Sequence, residues 1–317
     1  MTLPTATISA TPPSLTPRSE RIRAYAERAW RTVNELFDDS RFFDLVGVMT
    51  VLLVIVHLNS VRGLRELVII YCGAGIVDRR LLRLPVYWFV LTALLVVNHA
   101  LLWSTLDNHK YLETYWCLAI GISRISFVTP TALALNARWL IGLCFLFATF
   151  RKLSAPEFLD GSFFRFVLLS DPRFSGFADL VGGVPADITA ANIGARQRLT
   201  QPYSDVGFVQ LADAPRIAAL ARFLSFWTVG IEASIALLFL LPDRFRVSAP
   251  RDLVLLLFMF STYPVASVVG FGRLLAVMGL AQTRNYLNVE RTVYLGCFLL
   301  LPLLEFPFAR FIRTVFG

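Results

Sequence analysis

Nine apolar runs govern what this chain can fold into: residues 42–58, 67–77, 84–103, 111–128, 133–150, 217–241, 253–265, 268–281 and 293–312. An α-helix needs about 20 apolar residues to cross about 30 Å of hydrocarbon. The second, seventh and eighth runs are short, so the pattern predicts seven to nine spans. The expected fold class is all-α, a polytopic integral membrane helical bundle. Of the 317 residues 56% are hydrophobic and 16% charged, against about 45–50% and about 25% in soluble domains. That balance excludes an ordinary soluble enzyme and leaves little chain for a separate soluble domain.

The net charge of +8 comes almost entirely from arginine, because Lys110 and Lys152 are the only lysines. Its distribution over short inter-run segments reads as membrane topology, not as a nucleic-acid surface. Residues 1–17 are rich in Thr, Ser and Pro and lack the apolar core of a signal peptide. Residues 19–38 set Arg21, Arg23, Arg28 and Arg31 against Ile22, Tyr25, Ala26, Ala29 and Val33, the pattern of an amphipathic helix on a membrane surface. Residues 1–40 are thus expected as a cytoplasmic tail and surface helix, and 41–317 as the bundle. With the N-terminus inside, Arg79, Arg80 and Arg83, then Arg244, Arg246 and Arg251, then Arg284 and Arg291 all fall on the cytoplasmic side. Residues 107–110 and the segment 154–215 fall outside. The expected location is a bacterial inner membrane.

Segment 154–215 opens with a half-apolar run at 158–169 and continues with Gly176, Gly182, Gly183, Pro185 and Pro202, so it is expected as a long exoplasmic loop, either an ordered lid or disordered. Pro264, Gly270 and Gly272 interrupt the seventh and eighth runs and predict a helical hairpin or a broken helix. Cys72, Cys117, Cys144 and Cys297 lie inside apolar runs without metal-site or disulfide-framework spacing, which assigns them to packing.

Ionisable residues inside apolar runs are costly and are candidates for a site. His57, His99, Arg124, Arg138, Glu232 and Arg273 lie within runs, and His109 and Lys152 at outer ends. Glu232 must be protonated or paired, with Arg138 or Arg273 as the expected partner. His109 and Lys152 share the outer face by topology and can meet. A lysine beside an apolar cavity can stand as a neutral amine and act as a general base. The alternative is that Lys152 snorkels to headgroups and His109 caps a turn. No hydrolase, metalloprotease, nucleotide-loop or metal motif is present, and three scattered histidines, of which His57 and His99 could each in principle be an axial ligand, argue against haem.

Asn108-His109-Lys110-Tyr111-Leu112, and Phe150-Arg151-Lys152-Leu153 running on to Phe158 and Gly161, resemble two elements at the outer ends of successive spans in the horizontally transferred transmembrane family, which includes the vitamin K-dependent gamma-glutamyl carboxylases. The resemblance covers roughly residues 42–281, and the span bearing Glu232 is also similar. It implies a reduced quinone as cofactor, no metal, Lys152 as the base that deprotonates it and His109 as a group that holds the reacting site. Asn108, Tyr111 and Glu232 are then the cofactor-binding candidates. The carboxylases carry a large substrate-gripping domain after the bundle, and smaller members from bacterial toxin-maturation systems are nearer in size to this chain.

Two function classes follow. One is a membrane enzyme with epoxidation- or carboxylation-type chemistry on a reduced quinone at the exoplasmic face. The other is a non-catalytic membrane subunit, or a toxin-maturation-type protein, that binds quinone, lipid, a peptide or a partner membrane protein; fold alone does not separate them.

Overall fold

The computed structural model describes residues 25–305 apart from 26, 29, 33, 36, 38, 127–128, 201–206, 246–248, 267 and 284–287. The tail and most of the expected surface helix lie outside the described residues.

Each apolar run is helical over most of its described residues. They form α1 (Asp39–Val56), α2 (Leu64–Val77), α3 (Pro85–Leu101), α4 (Asn108–Ile125) and α5 (Thr129–Leu153). Segment 154–215 contributes α6 (Pro156–Leu159), α7 (Ser162–Ser170), α8 (Ser175–Leu180) and α9 (Ala186–Thr200). The bundle closes with α10 (Ile217–Leu240), α11 (Arg251–Thr262), α12 (Val269–Gln282) and α13 (Asn288–Leu300). No strand occurs among the described residues. By length and composition α5 and α10 are long and apolar enough to cross a membrane, and α3 and α12 are shorter apolar helices.

Helix α12 is the axis of the bundle. Leu274, Leu275, Ala276, Val277 and Met278 are buried in succession, and a helix apolar on all sides must be enclosed by others. Its neighbours are α1, α4, α5, α11 and α13. Close packing needs glycine at Gly272, where a Cβ would stand 2.7 Å from the Tyr263 ring. Asp252, at the start of α11, accepts hydrogen bonds from Gln282 and from Thr283 Oγ1 at the end of α12. Helices α11 and α12 are therefore an antiparallel hairpin, turning between Tyr263 and Val268.

The segment expected as a loop is largely helical and folds as a cap on the start of α10. Phe164, Val167 and Leu168 form an i, i+3, i+4 stripe on α7 that packs with Phe174 and Ala178 against Ile217, Ala221 and Leu224. Glycines and prolines masked these short helices in the sequence. Pro156 and Pro172 occupy first helical positions, where a proline is favourable, and Asp171 accepts from Arg173 N–H as a cap. Gly161 has φ 85°, and a Cβ there would press on Arg222 at 3.2 Å. Asn192 fixes the returning segment with two hydrogen bonds to the Ala212 backbone, at 2.8 and 2.9 Å.

Large apolar side chains also face outward along the bundle. Ile70, Phe147, Phe150, Phe226 and Phe260 are each more than half exposed.

Candidate functional site

A cavity of about 910 Å³ lies between α4, α5 and the first cap helices. Its walls follow from helical periodicity. Asn108, Tyr111, Leu112 and Tyr115 occupy i, i+3, i+4 and i+7 of α4, and Leu140, Cys144, Phe147 and Arg151 occupy i, i+4, i+7 and i+11 of α5, with Lys152 at the edge of that stripe. Phe158 of α6 and Phe163 of α7 close the cap side. Apart from the two tyrosine hydroxyls, the polar members are Asn108, Arg151, Lys152 and Glu157, so the site is an apolar chamber with polar groups gathered near the end of α5.

Lys152 stands in the last turn of α5 and donates a hydrogen bond from Nζ to Glu232 Oε1 on α10. Both side chains are largely buried, at 18% and 7% exposure. The ammonium position is also 5.3 Å from the centre of the Phe158 ring, within cation–π range. Glu232 Oε2 is buried and has no hydrogen-bond partner among the described residues. Lys152 thus reaches the chamber while its acid stands behind it.

The pairing of Glu232 corrects the expectation of Arg138 or Arg273. Arg138 lies fourteen residues before Lys152 on α5, about 21 Å along the axis. There it bonds the Phe239 carbonyl at 2.9 Å and Asp243 at 3.2 Å. Arg273 on α12 donates to the Phe298 carbonyl at 3.1 Å and lies 3.4 Å from His57 Nε2.

Of the other candidates, Asn108 and Tyr111 line the chamber and His109 is not among its lining residues. Adjacent helical positions point about 100° apart, so the residue following Asn108 turns toward α12. The His109 ring is 6.2 Å from that of Phe271, and a Cβ at Gly270 would stand 3.2 Å from His109 Nε2 and 3.4 Å from the His57 ring. Tyr111 and Tyr115 stand between the chamber and a smaller cavity of about 290 Å³, with Tyr111 stacked on His99 at 4.8 Å and edge-on to Trp103 at 6.1 Å.

Two features escape a reading of the sequence. Lys110 and Glu113 form a buried i, i+3 pair at 2.7 Å beside the chamber wall, signalled only by their spacing. Cys144, one of four free cysteines, lines the chamber, whereas Cys72, Cys117 and Cys297 are buried.

Among protein-family models, curated proteins and solved structures, none matches this chain.

Proposed function

We propose that the chain is a polytopic membrane protein, with its apolar helices crossing a bacterial inner membrane and its N-terminus in the cytoplasm. We further propose that the chamber receives a reduced quinone whose phenolic hydroxyl passes its proton to Lys152. The observation that carries this reading is Lys152 at the polar end of an apolar chamber, hydrogen-bonded to Glu232, with Asn108 and Tyr111 lining the same chamber. Support for the membrane comes from α5 and α10 and from outward-facing Phe147, Phe150 and Phe226. A surface so rich in large apolar groups is costly in water and favourable in lipid.

Glu232 bears on how the base works. The pair can stand as ammonium with carboxylate or as amine with carboxylic acid. The two forms carry the same net charge and differ by one proton moved along the hydrogen bond. In the second form the amine lone pair accepts the phenolic proton, leaving a quinol anion beside a new ammonium ion. The apolar side chains of the wall, Leu112, Leu140 and Phe147 among them, offer no proton to that anion, and its onward reaction with dioxygen would be the oxidation implied by the family resemblance. Asn108 and Tyr111 supply hydrogen-bonding groups for the quinol ring oxygens.

The test is oxygen-dependent consumption of a reduced naphthoquinone by purified protein, with the epoxide followed by chromatography. Lys152→Arg keeps the charge but stays protonated, so turnover is expected to vanish. Unchanged turnover in Lys152→Arg, or none in the parent, overturns the catalytic role.

A second reading, a non-catalytic subunit that binds quinone, lipid or a partner protein, is favoured by one observation. His109, the second group the resemblance calls on, faces α12 instead of the chamber. Quinone binding without turnover is its signature.

A further inference from the structure

Where α1 and the end of α2 meet the turn that follows α2, they enclose a cleft of about 760 Å³. Arg41, Asp44, Leu45 and Val48 stand at i, i+3, i+4 and i+7 of α1, so charge gives way to apolar side chains along one face of that helix. Val77 closes α2, and Asp78, Arg79, Arg80 and Arg83 carry the wall through the turn. Leu45 and Val48 lie about 6 Å and about 10 Å deeper along α1 than Arg41. The cleft is thus charged at its rim and apolar below it.

The rim charges are unequally engaged. Arg83 grips Asp44 with two hydrogen bonds, from Nε at 3.1 Å and from Nη2 at 2.6 Å. Arg41 lies 3.8 Å from Glu35, and both side chains are exposed. Asp78 accepts from the Arg80 backbone N–H at 3.0 Å. The guanidinium groups of Arg79 and Arg80 have no partner among the described residues and stand exposed on the rim. An arginine that only marks topology extends into the headgroup layer and needs no cavity behind it. These two stand over a volume within the range of small-molecule sites.

We propose that this cleft holds one acidic phospholipid, with its phosphate at the rim arginines and the start of an acyl chain along Leu45, Val48 and Val77. A guanidinium fork matches two phosphate oxygens at once. The apolar lower wall suits a hydrocarbon chain, which a soluble phosphate lacks, and Val77 at 89% exposure has no protein cover. A choline headgroup would bring a cation to a rim that already holds four arginines, so the fit is to a lipid of net negative charge. The inference rests on the membrane reading proposed above, in which this end of the bundle is cytoplasmic. It does not rest on quinone chemistry. Arg124, in the last turn of α4, lies 4.8 Å over the ring of Phe43 beside this rim, sixteen residues and about 24 Å along α4 from Asn108 of the chamber.

The test uses the purified full chain in a nonionic detergent at constant ionic strength, with thermal unfolding read by tryptophan fluorescence. Short-chain phosphatidylglycerol, short-chain phosphatidylcholine and inorganic phosphate are titrated separately. Phosphatidylglycerol is expected to raise the melting temperature saturably, with apparent affinity about tenfold or more above that of the other two. The double variant Arg79→Gln with Arg80→Gln should weaken phosphatidylglycerol about tenfold and melt like the parent without lipid, because neither guanidinium has a partner to lose. Arg62→Gln with Arg65→Gln removes the same charge at the other, equally exposed end of α2 and should bind like the parent. No saturable shift, an equal response to phosphatidylcholine, inorganic phosphate binding as tightly, an unchanged affinity in the Arg79 and Arg80 variant, or equal weakening in the Arg62 and Arg65 variant each overturns the site. Alkaline carbonate washing of cell membranes reads the membrane reading separately. Release of the chain by that wash overturns the membrane reading, whereas retention together with any of the negative titrations overturns the cleft alone.

Discussion

Lys152 on α5 is hydrogen-bonded to Glu232 on α10, and nearer the start of α5 Arg138 joins the end of α10 again, at the Phe239 carbonyl and at Asp243 just beyond the helix. Between these levels the helices come close enough that a Cβ at Gly142 would stand 2.8 Å from Leu240. The site lysine is therefore also a structural clamp, and its partner can be tested apart from chemistry.

Removing one member of a buried pair strands the other, at a cost of about 3–5 kcal/mol. Glu232→Leu is expected to lower folded yield and melting temperature clearly. Glu232→Gln, which keeps an acceptor for Lys152, should be milder. The double variant Lys152→Met with Glu232→Leu is expected to recover most of the loss, because neither charge is left buried. A double variant no more stable than Glu232→Leu would show that the clamp does not act as a pair.

The split of α4 into two faces gives a second expectation. Cys144 lines the chamber and the other three cysteines are buried, so alkylation of Cys144 reports occupancy. A fully substituted reduced naphthoquinone is expected to slow that alkylation. Asn108→Ala and Tyr111→Phe each remove about one hydrogen bond, about 1 kcal/mol or a fivefold weaker protection. His109→Ala should leave protection unchanged while lowering turnover by a smaller factor than Lys152→Arg. Loss of protection in His109→Ala alone would place the quinone against α12.

The positions of the helices were legible in the sequence because length and apolar continuity are local properties. The hairpin at Pro264 was legible for the same reason, since a proline and nearby glycines end a helix wherever it packs. The partner of Glu232 was not, because pairing between helices depends on axial level: Arg138 has suitable charge but stands three to four turns too far along α5. Nor was the burial of Arg251 and Arg291. An arginine at the end of an apolar run looks solvated until the next helix is laid over it. The cap stayed hidden because its helices are short and bounded by prolines and glycines, which read as a loop. Adjacent motif residues Asn108 and His109 looked like one site and face different ways, a consequence of helical geometry that applies once the motif is known to sit on a helix.

Cap stability should depend on pH through Asp171. Burial alone would raise its carboxyl, but hydrogen bonds from the Arg173 backbone and guanidinium, with Arg196 at 3.6 Å, hold it below the usual carboxylate range. A depressed folded-state value means that its stabilisation is complete above the unfolded range and is lost as pH falls through the folded one. Hydrogen exchange over residues 156–200, corrected for intrinsic rate, is expected to accelerate below about pH 4. Asp171→Asn should exchange faster at neutral pH and lose that acid-dependent component. Equal acid sensitivity in parent and variant would assign it to another group.

The orientation can be read with two cysteines. Asp187 is exposed on the cap and Asp78 is exposed just after α2, beside Arg79, Arg80 and Arg83. If positive charge sets the topology, Asp187→Cys should react with a membrane-impermeant maleimide on intact cells, and Asp78→Cys only after lysis. Both substitutions fall outside the bundle core, so expression should remain close to the parent. The native cysteines are a modest background, because three are buried and Cys144 lies inside the chamber. Labelling of Asp78→Cys on intact cells with Asp187→Cys protected would invert the protein. The Lys152 chamber would then face the cytoplasm.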